Sequence, residues 1–361
     1  MNKKAIIVLS VLGAVAACTN DPDELLAPSG PGGSVDIDLG ALPYDSLSSY
    51  GFFTGNLQDL QPAPSVLPYS PITPLFSDYA HKSRFVWMPP GSKAQYVSED
   101  VPLDFPDGTV LIKNFWFERV QPTDVKRVLE TRMLFKRNGE WEFANYKWNA
   151  AQTEAVLDLF GSFAPLQWLD DDDQPHDVVY RIPSDAECLV CHKQNDIPEP
   201  IGPKPRNLNG NFQYADGTMN QLQRWIQAGY LEDNLPGNVG AVTDWKDPNA
   251  NLNDRVRAYV DMNCAHCHSD GKHCDYRPMR FAWQETTDPI NLGECVIPDQ
   301  EVLPQLTHIV ARGDTAASML YYRISSTDET LRMPLLGRTV VHEEARQLFA
   351  DWINSLSPSC N

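Results

Sequence analysis

The pentapeptides Cys188-Leu189-Val190-Cys191-His192 and Cys264-Ala265-His266-Cys267-His268 constrain this chain more than any other feature. Each sets two thiols three positions apart, with an imidazole directly after the second. Whatever fold surrounds them must keep three reactive side chains facing one space. The Cys-x-x-Cys-His pattern is the attachment signature of a c-type haem, in which the thiols add to two vinyl groups and the histidine ligates iron from the proximal side. Two copies predict two covalently bound haem c groups, one on Cys188, Cys191 and His192, the other on Cys264, Cys267 and His268. Zinc is the competing reading, because a Cys-x-x-Cys pair from each motif makes a four-thiolate site. It leaves the histidine adjoining both motifs without a role.

The N-terminus predicts where such a chain matures. Lys3 and Lys4 precede an apolar run from Ala5 to Ala17, and Val15-Ala16-Ala17 leads directly into Cys18. This resembles a bacterial lipoprotein signal: the run is too short to span a bilayer, and the small residues before Cys18 resemble a lipobox. Residues 1–17 are therefore expected to be a signal peptide, with Cys18 lipidated and anchoring the chain to the membrane of the cell envelope. Thr19 favours the outer membrane, facing the periplasm, while Asp21, Asp23 and Glu24 leave export to the cell surface open. Residues 18–43, with Pro28-Ser29-Gly30-Pro31-Gly32-Gly33-Ser34, read as a flexible tether. The formal charge of −19 argues against nucleic acid and anionic lipid as partners and suits redox proteins with basic docking surfaces.

Residues 44–183 read as a β-rich domain. The stretches 84–88, 109–117, 129–136 and 141–148 are rich in aromatic and β-branched residues. Leu129, Thr131, Met133 and Phe135 alternate on one face, and Asn138-Gly139 is the turn pair of a hairpin leading to Trp141 and Phe143. Asp170 to Asp173 lacks the spaced ligands and turn glycine of a calcium loop and reads as a solvated acidic loop. His176 beside it takes no role.

The rest divides into a reduced first haem module, 184–243, and a second, 244–361. In the second, Asp247-Pro248 reads as a helix start, and Leu252, Val256, Tyr259 and Val260 recur at helical spacing into Cys264. Gly313-Asp314 opens another helix through Met319, Leu320 and Tyr322. Arg332-Met333-Pro334 forms a loop, and Ala345, Leu348, Phe349, Trp352, Ile353 and Leu356 follow the amphipathic template of a last helix. Over residues 245–356 this resembles class I cytochrome c. The resemblance implies His268 as proximal ligand and Met333 as distal ligand of the second iron, with Met279 and Met319 as weaker rivals and His266 on the surface. In the first module Thr218-Met219-Asn220-Gln221 fits a capping box, and Met219 is the methionine nearest to hand for the iron of His192. The order of lipoprotein signal, β-rich segment with Pro74-Leu75-Phe76-Ser77-Asp78-Tyr79-Ala80 and two haem motifs resembles a little-characterised family of bacterial dihaem c-type cytochromes.

The fold class expected is multidomain: an antiparallel, sandwich-like β region followed by mainly α-helical cytochrome c modules. The function expected is electron transfer between redox partners. A peroxidase-like dihaem enzyme with an open first iron, and a nonredox surface binding protein, are the alternatives, so enzymatic activity is left open and no catalytic residue is assigned. Of the remaining cysteines, Cys274 and Cys295 bracket one loop and are the preferred disulfide, leaving Cys360 free.

Overall fold

The computed structural model describes residues 35–360, and the expected signal segment and Cys18 lie outside them. Its centre is an eight-stranded antiparallel sheet built from β3 (Leu67–Tyr69), β4 (His81–Trp87), β5 (Val110–Val120), β6 (Val125–Arg137), β7 (Glu140–Trp148), β8 (Ala155–Leu157), β9 (Ser162–Leu169) and β10 (Pro175–Ile182). Three two-stranded pairs accompany it: β1 (Phe53–Thr54) with β2 (Gln61–Pro62), β11 (Lys193–Gln194) with β12 (Ile197–Pro198), and β13 (Asn211–Tyr214) with β14 (Gly217–Asn220).

The sheet follows from the residues that predicted it. Asn138 and Gly139 both take positive φ, the backbone a two-residue hairpin turn needs, and join β6 to β7 in the expected register. One detail differs. A register shift pairs Phe115 with Glu130 but Trp116 with Val128, so Leu129 is the extra residue of a β-bulge. The bulge turns Leu129 away from Met133 and Phe135, and it packs instead with Phe115, Phe117 and Tyr180.

Each face of the sheet buries a different partner. One face carries Phe85, Ile112, Met133 and Tyr146 against Tyr50, Phe52 and Leu60 of the preceding segment. Val35 and Leu42 belong to this core, so residues 35–43, the described end of the segment expected to be a tether, contribute to the packing. The opposite face packs Val86 and Leu111 against Trp225 and Leu222 at one end and Phe115 and Phe117 against Tyr180 and Val178 at the other.

The expectation of mainly helical modules fails. Strand outweighs helix, at 27% against 18%. The described helices are α1 (Asp185–Cys191), α2 (Pro205–Leu208), α3 (Gln221–Gln227), α4 (Leu252–Asn263), α5 (Met319–Ser325) and α6 (Glu343–Ser355). Only α4 and α6 exceed two turns, and they pack on each other through Val256, Tyr259, Leu348, Phe349 and Trp352. Between them the chain runs largely in turns, because Gly, Pro, Asp and Asn recur there too often for a longer helix. The helix starts move for the same reason. Asp247 caps a tight turn through Asn249 N, whereas the side chain of Asn251 accepts from Asn253 N and Asp254 N and opens α4. Likewise Asn220, not Thr218, caps α3, and Thr218 and Met219 lie in β14. Gly313 and Asp314 form a turn, and α5 begins only at Met319.

The disulfide also differs from expectation: Cys295 is bonded to Cys360, and among the described residues Cys274 is a buried free thiol. The C-terminal tail returns past Gly313, whose N–H donates to Ile353 O, and this brings Cys360 beside Val310 and Arg312. Pairing Cys295 with the nearer cysteine in sequence overlooks that return. Replacing both partners by serine is expected to lower unfolding stability by about 2–4 kcal/mol. A shift of the urea midpoint checks it, and an unchanged midpoint refutes it.

Candidate functional site

Helix α1 is built to present the first motif. Ser184 and Glu187 form a reciprocal capping box, and Cys188 and Cys191 then fall one turn apart. The helix ends at His192, whose N–H donates to Cys188 O. The imidazole Nδ1 faces Glu199 O at 3.1 Å, which fixes the tautomer and leaves Nε2 as the lone-pair nitrogen. Phe143 of β7 meets the ring at 5.1 Å, and burial pushes the His192 pKa down to about 3, so the imidazole is neutral.

Helix α4 delivers the second motif in a similar way, with Cys264 as its C-cap and Cys264 O accepting from both Cys267 N and His268 N. His268 is 8% exposed, its pKa is lowered by burial to about 4, and its Nδ1 is buried without a hydrogen-bond partner among the described residues. A buried polar atom left unsatisfied is costly, and here it marks a ring with ligating capacity to spare.

Two cavities meet these motifs. The first, offering about 180 Å³ to the centres of water molecules, is lined by Cys188, Cys191 and His192 together with strand residues of β5, β6 and β7. The second, about 130 Å³ on the same measure, is lined by Cys264, Cys267 and His268 with Met279, Phe281, Ile309 and Met319. Each thus holds one complete motif on a largely apolar wall. Met333 and Pro334 line both, so the expected distal residue sits on the shared wall, beside its two rivals for the second cavity. Met219 lines neither: it pairs with Phe212 in the β13–β14 hairpin. The thioethers that line the first cavity are those of Met333, Met262 and Met133, and nothing in the sequence picks out the last two as ligands.

The motifs are interlocked. Asn195 N donates to Gly271 O at 2.8 Å, Gln194 Nε2 to Asp270 O at 3.0 Å, and Lys272 pairs with Glu199. Gly271 has positive φ, and an added Cβ would meet Asn195 Oδ1 at 2.3 Å, so glycine is required where the two loops cross. This brings ligand atoms of Cys191, His266 and Cys267 within 4.8 Å of one another. His266 is half-buried and lines both cavities, which corrects its expected surface role. Its pKa falls to about 4 through burial.

The thiols themselves are not primed as nucleophiles. Burial pushes Cys188 up to about 11 and Cys264 up to about 12, and Cys267 is raised to about 12 by its hydrogen bond to Cys191. Cys191 alone is lowered, by that same bond. Thiol catalysis is favoured by a lowered thiol pKa, and three of these four half-buried thiols are raised.

Residues outside the motifs hold the Met333 loop. Arg338 donates to the carbonyl oxygens of Met333, Val340, Arg323 and Ser326, and Met333 N donates to Arg323 O. From the segment leading into β4, the Asp78 carboxylate accepts from Thr339 N, Val340 N and Thr339 Oγ1. Phe76 stacks on His342 at 3.9 Å, and Tyr79 donates to Glu344. The only sequence signal for Arg338 and Asp78 is a lone charge inside an apolar or aromatic run.

His342 also sets a pH response. Burial against Phe76 and Trp245 lowers its pKa to about 3, with Lys246, Lys82 and Arg338 acting in the same direction, while Tyr259 OH lies 2.9 Å from Nδ1. The unfolded chain takes up this proton near pH ~6.5, before the folded chain does. The stability from neutral His342 is therefore complete above about pH 6.5 and is lost as the pH falls from there towards 3, by up to about 1.4 kcal/mol per pH unit. His342→Gln is expected to flatten the dependence of the denaturation midpoint on pH over this range; an unchanged slope refutes it.

Comparison of the chain with protein-family models, with curated proteins and with solved structures found no match.

Proposed function

We propose that the chain is a dihaem c-type electron carrier, with one haem held by Cys188, Cys191 and His192 and the other by Cys264, Cys267 and His268. The observation that carries this reading is that each cavity is lined by one whole Cys-x-x-Cys-His motif, with both histidines neutral, His268 buried and His192 half-buried. A bound haem supplies a one-electron iron couple. The residues supply the rest: His192 offers Nε2 because Glu199 O engages Nδ1, and the apolar walls exclude water, which favours a shifted potential. Met333, whose carbonyl Arg338 holds, would offer its thioether to the second haem. The contact between the two motif loops supports a relay from one haem to the other. The disulfide accords with an oxidising compartment and therefore with export and lipid anchoring at Cys18, and the acidic balance accords with basic redox partners. The reading rests on the motifs and cavities and needs no cytochrome-like helical fold.

A second reading is favoured by one observation: Cys191, His266 and Cys267 make a compact soft-ligand cluster that suits zinc or a similar ion. A pyridine haemochrome assay with metal analysis, on protein made with haem-maturation machinery, separates the two. Two haems per chain with two midpoint potentials support the carrier. Stoichiometric zinc without haem bands supports the metal site, and five-coordinate high-spin iron with peroxide turnover supports an enzyme.

A further inference from the structure

The sheet face that meets the first cavity carries a charge pattern that electron transfer alone does not use. Arg84 of β4, Lys113 of β5 and Arg132 of β6 are direct cross-strand partners, and Asn145 of β7 continues the row. All four line the cavity. On one side the next row is Val86, Leu111, Leu134 and Phe143, all apolar. Like charges set directly opposite one another destabilise a sheet, and apolar surroundings sharpen the repulsion.

The chain offsets this only in part. Glu130, fully buried, is the acid nearest the row, yet its carboxylate already accepts from Arg132 Nε at 3.0 Å and from Tyr180 OH at 2.7 Å. The Lys113 ammonium and the Arg132 guanidinium share the Phe115 ring, at 4.8 and 4.3 Å. Among the described residues Lys113 forms no ion pair, and the fields of Lys82, Arg84 and Arg132 add to burial in lowering its pKa well below the usual lysine range. Among the described residues the one acid lining this cavity, Glu187, is paired with Arg181. A chain with 48 acidic and 29 basic residues has thus gathered cations, and almost no acid, around one cavity.

We propose that the Arg84–Lys113–Arg132 row is a carboxylate-binding site of the first cavity. The Lys113 ammonium and guanidinium N–H groups match carboxylate oxygens in charge, and Arg132 offers its Nη1 because Nε and Nη2 already hold Glu130. The carboxylate comes either from the propionates of a haem attached at Cys188 and Cys191, a source that rests on the proposed function, or from a small free acid entering the cavity.

The test compares the full chain with Lys113→Gln and the charge-restoring Lys113→Arg, after circular dichroism has verified folding and a haemochrome assay has counted haems. If haem is the source, Lys113→Gln shifts the propionate band in the redox-induced infrared difference spectrum and lowers one midpoint potential, and Lys113→Arg restores both. If a free acid is the source, acetate binds saturably in calorimetry, at least tenfold more weakly to Lys113→Gln, with recovery in Lys113→Arg. Haem-loaded protein showing neither response overturns the proposal. A chain without haem refutes the dihaem reading alone, and the acetate titration still decides the row.

Discussion

Replacing Cys264 and Cys267 together by serine is expected to leave one covalently bound haem per chain, and replacing Cys188 and Cys191 is expected to leave the other. Both members of a pair must go, because one thioether is enough to retain a haem. The expectation of one and not zero comes from the geometry: each cavity draws its histidine and one private cysteine from a single motif, His192 with Cys188 and His268 with Cys267. The measurement is haem per chain by pyridine haemochrome, with denaturing gels to show covalent attachment. The two variants should also lose different midpoint potentials in a redox titration. Loss of both haems in either variant would mean that the cavities form one site, and retention of both would mean that the thiols do not attach them.

Asp78→Ala is expected to lower unfolding stability by about 2–5 kcal/mol, since two backbone N–H groups and a hydroxyl lose their acceptor at once. Asp78 is 2% exposed and bonds Thr339 N at 2.6 Å, Thr339 Oγ1 at 2.9 Å and Val340 N at 3.0 Å, so little water is at hand to replace it. Burial raises its pKa despite these three donors, which shows how dry the position is. Asp78→Asn keeps an acceptor oxygen for the N–H groups and is expected to cost about 1 kcal/mol. Denaturant titration of the two variants checks the contrast. Equal, small effects would mean that the loop following Met333 is held by Arg338 alone.

How far sequence reasoning reached depended on whether a signal was local. The strands were legible because alternation and an Asn-Gly turn are written within a dozen residues, and the hairpin from β6 to β7 has its expected register. Leu129 was not, because a bulge leaves no mark on alternation until the partner strand is known. Helix starts slipped by a few residues since asparagine and aspartate cap equally well, and Asn251 competes with Asp247 four positions earlier. The helical modules were over-read, as two amphipathic helices flanking a motif carry no information about the turns between them. Within the site, both motifs were plain. Their contact through Asn195, Gly271 and Lys272 was not, and with it the Cys191–His266–Cys267 cluster, since that contact spans some 76 residues and shows no periodicity. The cationic row is visible only in hindsight, because Arg84, Lys113 and Arg132 are among several charges on their strands and only the cross-strand register aligns them.

The crossing of the two motif loops bears on what can be transplanted. The wall of the first cavity draws on Lys113 in the sheet, Cys188 in α1, Tyr259 in α4 and His342 before α6, so no contiguous stretch of chain encloses it. A segment excised around either pentapeptide would take the thiols but leave the wall behind. Neither motif is a portable cassette, and a split of the chain between residues 200 and 260 should yield a working site only when both halves are present to reassemble it.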